Sequence, residues 1–130
     1  MLRVMKAMRA ARGARKFLAE AKEAGGGSYR LDEWPEPRGA SGRRNVRAAV
    51  VRLRIAQRLT VGFLDPVDDS VFLTAGLRLL GIPATFHLGR ELAPAKPPAG
   101  YFAWVQYGDD VLSTSLPVED EYIEIHRSVA

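Results

Sequence analysis

Seven of the ten residues from Val71 to Leu80 are apolar, and Val71, Phe72, Leu73, Ala75, Leu77, Leu79 and Leu80 leave almost no polar side to a helix wound through them. A helix without a polar face is stable in water only inside a core, so this segment predicts a central, buried helix that other elements surround. Gly81-Ile82-Pro83 stops it, because glycine accepts the left-handed conformation at a helix end and proline cannot continue the helix. Asp68, Asp69 and Ser70 precede the run and read as its N-terminal caps. Beyond the stop the apolar period changes from helical to alternating. Residues 84–88, 101–107, 111–115 and 122–126 read as strands, and Gly108-Asp109-Asp110 as the hairpin turn between the second and third. Helices first and an antiparallel sheet of about four strands afterwards is an α+β order.

Two further helices precede the buried one. Residues 2–24 space Leu2, Met5, Met8, Ala11, Ala14, Phe17 or Leu18 and Ala21 three to four apart, giving one apolar stripe that Gly13 weakens. Arg3, Lys6, Arg9, Arg12, Arg15 and Lys16 occupy the other side. Residues 1–24 hold seven Lys/Arg against Glu20 and Glu23, a surplus of five, which leaves the other 106 residues at −1 of the total +4. The expectation is a basic amphipathic arm on a nearly neutral body. Such a face serves docking to a protein partner, anionic-membrane contact or nucleic-acid contact, and a packed terminal helix with solvated charges is the structural alternative. The neutral body disfavours nucleic acid. Gly25-Gly26-Gly27-Ser28 breaks the helix, and Pro35, Pro37, Gly39 and Gly42 mark residues 25–44 as a linker in which Tyr29, Leu31 and Trp34 would anchor the loop to the body. From Asn45 to about Leu59, Val46, Ala49, Val50, Leu53 and Ala56 form a core-facing stripe, with Arg43, Arg44, Arg47, Arg54 and Arg58 mostly elsewhere.

The division expected is therefore an arm at 1–24, a linker at 25–44 and a domain at 45–130. At 130 residues, 47% hydrophobic and 26% charged, the chain is long enough to bury roughly two-thirds of its unfolded surface without a disulfide or structural metal. It contains no cysteine, which removes disulfides, thiolate metal sites and thiol nucleophiles together. With only His87 and His126, a histidine-rich metal centre is disfavoured, and no cofactor is implied. No apolar run approaches the roughly 18–20 residues of a membrane span and the N-terminus lacks a secretory core, so a soluble, cytoplasmic protein is expected.

A buried helix ending in Leu80-Gly81-Ile82-Pro83-Ala84, a strand ending in Leu88-Gly89, a proline-rich gap (Pro94, Pro97, Pro98), and then Ala103-Trp104-Val105-Gln106 with a glycine turn and Val111 form a recognisable succession. It resembles the transglutaminase-like domain of lasso-peptide leader peptidases, the C-terminal domain of microcin-type processing proteins. The resemblance covers roughly residues 45–126, and Tyr122-Ile123-Glu124-Ile125 is similar to that family's closing strand. It implies a transglutaminase-like, papain-like core: a central helix whose start bears the nucleophilic cysteine, and a facing strand whose His-Ala-Trp supplies the base. Here that strand reads Tyr101-Phe102-Ala103-Trp104, so Phe102 stands at the histidine position, and the helix start reads Asp65-Pro66-Val67-Asp68-Asp69-Ser70-Val71 with no thiol in any register. The family's covalent chemistry is excluded.

The remaining candidates are few. Ser70 would need an adjacent base to act as a nucleophile, and the resemblance puts Phe102 where that base belongs. Asp68 and Asp69 are poor bases for a hydroxyl and read more simply as caps. Strand alternation puts His87 on the face of Thr85, opposite Phe86 and Leu88, so His87 serves as an acid or base if that face meets a cleft, and is otherwise a hydrogen-bonded structural histidine. His126, near the C-terminus, carries less weight. Tyr101, Phe102 and Trp104 are the candidates for substrate contact, with Trp104 also read as a core anchor; the loop 89–100 would rim the cleft. A phenyl ring in place of an imidazole makes the former site apolar, either filled or shaped for a hydrophobic ligand.

Two readings follow. In the first, a natural-product biosynthesis protein holds a peptide or small-molecule pathway intermediate in the former cleft and promotes a cyclisation or rearrangement without a covalent intermediate. In the second, the chain is an inactive pseudoenzyme, a binding or scaffold subunit that engages a biosynthetic partner through residues 1–24.

Overall fold

The computed structural model describes residues 2–24, 34–37, 45–91, 101–114, 118 and 122–128. Three helices, α1 (Leu2–Ala24), α2 (Val46–Thr60) and α3 (Pro66–Leu79), precede β1 (Thr85–Glu91), β2 (Tyr101–Tyr107), β3 (Asp110–Val111) and β4 (Tyr122–Arg127). The strands form one antiparallel sheet in the order β3-β2-β1-β4. The α+β class is as expected from the sequence, and no helix among the described residues is long and apolar enough to cross a membrane.

α3 is the buried centre. Ser70 to Arg78 are all buried, and α3 packs on α1, on α2 and on β2. Its C-terminus closes as the sequence predicts: Gly81 takes φ +87°, its N–H donates to the Arg78 carbonyl at 2.9 Å, and the Ile82 N–H donates to the Leu77 carbonyl at 2.9 Å. This reciprocal pair satisfies two carbonyls that the helix end leaves over. The N-terminus departs from expectation. The helix begins at Pro66 with Asp65 in the cap position, so Asp68, Asp69 and Ser70 lie inside the first turns rather than at the cap. Pro66 explains the earlier start, since proline's fixed φ suits the first helical position and its missing N–H has no partner there to lose.

The carboxylates of that first turn tie α3 to its neighbours instead. Asp68 pairs with Lys22 of α1 at 3.0 Å. Asp69 accepts from Gln57 Nε2 at 2.8 Å and from Arg54, both on α2. The negative charges also sit at the positive end of the helix dipole.

α1 is not a detached arm. Ala7, Ala10, Ala11, Ala14, Leu18 and Ala21 are buried, and the first four belong to the same apolar cluster as Phe72, Leu73 and Leu77 of α3. Small side chains let the two helices approach closely. A Cβ at Gly13 would stand 2.6 Å from Leu79 Cδ1, which is the use of the glycine that weakens the helix in isolation. Leu2 and Arg3 have side chains outside the described residues.

Of the predicted linker anchors, Tyr29 and Leu31 lie outside the described residues, while Trp34 stacks on Phe17 of α1 (5.0 Å between centroids) and tilts against Phe86 of β1 (5.6 Å). Arg78 holds the same segment. Its Nε donates to the Pro35 carbonyl at 2.6 Å and its Nη1 to the Ala84 carbonyl at 3.1 Å, with the side chain buried. α2 begins as read, with the Asn45 side chain accepting from the Ala48 N–H at 3.0 Å, and buries Ala49, Leu53 and Ala56.

In the sheet, β2 has the bounds the alternation gave, whereas β3 is shorter than the 111–115 read from it. Leu112 N–H donates to the Val105 carbonyl at 2.8 Å, but Val105 N–H donates to the Ser113 hydroxyl at 3.0 Å. A side chain thus replaces the next rung of the ladder, and the strand ends. Ser115 lies outside the described residues.

Candidate functional site

Alternation along β1 sends Phe86 and Leu88 toward the helices and Thr85, His87 and Gly89 to the opposite face. The register His87↔Trp104 and Gly89↔Phe102 brings Phe102, Trp104 and Gln106 of β2 onto that same opposite face, since Ala103 and Val105 pack among the helices. β4 adds Tyr122 and Glu124 from the other flank of β1, across a register shift at Leu88/Gly89.

An aromatic layer results. Phe102 stacks on Tyr122 at 5.2 Å and on Trp104 at 6.4 Å, and Trp104 stacks on His87 at 5.6 Å with the rings 12° from parallel. Gly89 lies beneath it. A Cβ there would stand 2.8 Å from the Trp104 ring and 2.9 Å from Tyr122 Cβ, so the layer closes only because residue 89 has no side chain.

His87 is 1% exposed and both ring nitrogens are engaged. Nδ1 meets a carboxylate oxygen of Glu124, and Nε2 lies 2.7 Å from the Thr85 hydroxyl. The other Glu124 oxygen accepts from Arg127 Nη2 at 2.8 Å and Nε at 3.1 Å. Burial pushes the His87 pKa below its ordinary value of about 6.5, more than the Glu124 hydrogen bond and charge push it back. Burial opposes the Glu124 charge as well, but the hydrogen bonds from His87 and Arg127 together outweigh it and hold that carboxyl below its ordinary value.

At neutral pH the pair is therefore an ionised carboxylate and a neutral imidazole. A carboxylate can only accept, so Nδ1 carries the proton and Nε2 presents its lone pair. The Thr85 hydroxyl then donates to Nε2, with the Gln106 carbonyl a longer alternative acceptor at 3.3 Å. Thr85, His87 and Glu124 form a chain of the kind that moves protons: hydroxyl, base, and a carboxylate that fixes the tautomer and stabilises the imidazolium.

These three residues, with Trp104, Gln106 and Arg127, line a pocket of about 710 Å³. Its size is that of a small-molecule or short-peptide site. Trp104 Nε1 donates to Gln106 Oε1 at 2.7 Å, and Gln106 Nε2 donates to the Gly108 carbonyl at 3.0 Å, so the amide is held in a defined orientation at the pocket wall.

The sequence candidates are thus divided between two places. His87 and Trp104 meet in this pocket, with Phe102 stacked alongside. Trp104 is buried, 3% exposed, in keeping with its reading as a core anchor, and its ring lies in the aromatic layer on the face of the sheet away from the helices. Tyr101, 63% exposed, is turned to the other side of β2 by alternation and joins neither His87 nor the stacked rings.

Ser70 and Phe102 line a second, smaller cavity of about 320 Å³ with Asp69, Ala103 and Ser113. Among the described residues no imidazole lines it, and Asp69 is engaged by Arg54 and Gln57. Asp68 faces Lys22 instead. His126 is exposed and tilts against Phe86 at 6.1 Å. Residues 92–100 of the expected rim lie outside the described residues. Among the described residues no group of three or more His, Asp or Glu could hold a metal ion.

No family model, no curated protein and no solved structure matches the chain.

Glu124, Thr85, Gln106 and Arg127 were not among the candidate site residues of the sequence. Thr85 was within reach, two residues before His87 on an alternating strand. Glu124 depended on knowing that the last strand lies beside the first, a pairing across 37 residues that no local pattern announces.

Proposed function

We propose that this chain is a biosynthetic protein built on a transglutaminase-like, papain-like core, which binds a peptide or related pathway intermediate and promotes its cyclisation or rearrangement in the cytoplasm without a covalent intermediate. The observation that carries the reading is the Thr85–His87–Glu124 chain at the wall of a 710 Å³ pocket. The resemblance of residues 45–126 supports the core assignment, and so does the buried α3 packed on the antiparallel sheet.

The pocket holds the substrate against Trp104 while Gln106 fixes its orientation. His87 Nε2 draws the Thr85 proton, Thr85 takes one from the substrate, and the reverse path returns it to the new leaving or closing atom. Glu124 keeps the imidazolium stable while it exists. Orientation in a near-reactive conformation supplies several kcal/mol of barrier lowering, and a positioned acid–base group contributes about 10²–10⁴-fold.

The test is conversion of the linear intermediate made by the enzymes encoded beside this chain, followed by mass spectrometry of product and protein. Conversion without a mass adduct on the protein, reduced about 10²-fold or more in His87→Gln and Thr85→Val and unchanged in Ser70→Ala, is the expected result. Undiminished conversion in both relay variants overturns the mechanism, and a trapped ester overturns the non-covalent step.

The second reading, an inactive subunit that binds the intermediate for a catalytic partner, is favoured by the occupation of both His87 nitrogens, as in a satisfied structural histidine. Saturable binding of the intermediate with no conversion would select it.

A further inference from the structure

α2 has two apolar faces, and among the described residues only one packs into the core. Ala49, Leu53 and Ala56 are buried. Val51, Ile55, Leu59 and Phe63 are 58%, 56%, 72% and 84% exposed. At about 100° per residue Val51, Ile55 and Leu59 form a turning ridge that moves from roughly 170° to roughly 90° round the helix from the buried row and runs about 12 Å along it. Gly62, at φ +75°, turns the chain just past the helix end and places Phe63 at the ridge's tip, where the Arg58 guanidinium lies 4.8 Å over its ring.

The flanks of the ridge are basic. Arg47 and Arg58 lie on one side by helical angle and Arg52 on the other, and α2 contains no Asp or Glu. Four large apolar residues in line are more than a single-domain surface scatters at random, and such a patch marks a docking face.

We infer that the Val51–Phe63 ridge of α2 docks an acidic amphipathic helix of a partner protein, whose apolar stripe covers the ridge and whose carboxylates meet Arg47, Arg52 and Arg58. Charge selects this occupant. A two-fold contact with a second copy would set arginine against arginine, and nucleic acid has no use for an apolar ridge. A bilayer requires a broad apolar face, whereas this one is a single row closely bordered by guanidinium groups, the dimensions of helix-to-helix ridge packing. Guanidinium groups also bind carboxylates in a two-point fork. The site stands apart from the pocket and does not depend on whether the pocket is catalytic. It also replaces α1 as the docking element, because α1 spends its apolar face in the core.

The experiment titrates the full chain with fluorescent 18-residue helical peptides. One carries leucines at positions three and four apart flanked by glutamates, one has lysines for the glutamates, and one is the acidic peptide scrambled; vesicles of phosphatidylglycerol and phosphatidylcholine are titrated in parallel. The acidic amphipathic peptide is expected to bind at least tenfold more tightly than either control. Ile55→Glu/Leu59→Glu should lose tenfold or more, and Arg47→Glu/Arg58→Glu should transfer the preference to the lysine peptide, both with unchanged melting temperature because these side chains are exposed. Equal or absent binding of the three peptides overturns the proposal. Vesicle binding abolished by Ile55→Glu/Leu59→Glu overturns it in favour of a lipid surface, and self-association of the wild type abolished by the same pair overturns it in favour of a second copy.

Discussion

At residue 89 the absence of a side chain is the specification. Its φ is outside the left-handed region, so the demand for glycine is spatial: Trp104 and Tyr122 occupy the volume a methyl group would take. Gly89→Ala should therefore destabilise by about 1–3 kcal/mol, the usual cost of overpacking, and alter the near-ultraviolet circular dichroism of the tryptophan beside it. Thr85 makes a second demand. Thr85→Val keeps the shape of the side chain but leaves His87 Nε2 buried without a donor, and should cost about 1–3 kcal/mol in urea denaturation; Thr85→Ser should recover most of it. The face of His87 was legible in the sequence because alternation along five residues fixes it. Its carboxylate partner was not, because Glu124 reaches it through strand order, and strand order is set by how the helices cover the sheet rather than by any local pattern.

Among the elements, those with dense apolar patterning were the legible ones. α3 was visible as a run too apolar to face water, and its end was written in Gly81. Its beginning was misread because Asp68, Asp69 and Ser70 have capping side chains, while the determining signal was the Asp65-Pro66 pair that starts the helix one turn earlier. α1 has the charge of an arm, but its buried side includes Ala7 and Ala10 beside the stripe of Ala11, Ala14 and Ala21, and small side chains give a weak apolar signal for so close a packing. Arg78, a lone charge in an apolar run, carries no sequence signal of its role, yet it fastens α3 both to the segment 34–37 and to the approach to β1. Burial lowers its pKa, and the nearby Glu36 raises it in part, which leaves a charged group that needs these carbonyls. Arg78→Ala should cost about 2–4 kcal/mol, because charge-assisted bonds are lost and two carbonyls are left short of a donor. Limited proteolysis should then cut at the Trp34–Pro37 segment faster than in the wild type.

For the molecule as a whole, the buried pair sets a pH dependence. His87 has a folded pKa below the unfolded one, so the unfolded chain binds the extra proton first as the pH falls. Stability should be flat above the ordinary histidine range and decline as the pH drops through about 6.5. Glu124 has a folded pKa below its ordinary value of 4.5, so its contribution is present above that value and is lost further into acid. Urea unfolding measured from pH 8 to pH 4 should show the decline in this sense, and His87→Gln should flatten its upper part. The same ordering bears on activity: because His87 stays unprotonated to a lower pH than a solvated histidine, the acid limb of any conversion should lie below pH 6.5.

Five alanines of the first helix, Ala7, Ala10, Ala11, Ala14 and Ala21, are each no more than 5% exposed. A fragment begun at residue 45 would thus not be the body without its appendage. It would be a body missing one wall, with leucine and phenylalanine side chains opened to water, and it should be recovered from expression as aggregate rather than as a monomer with the native melting transition.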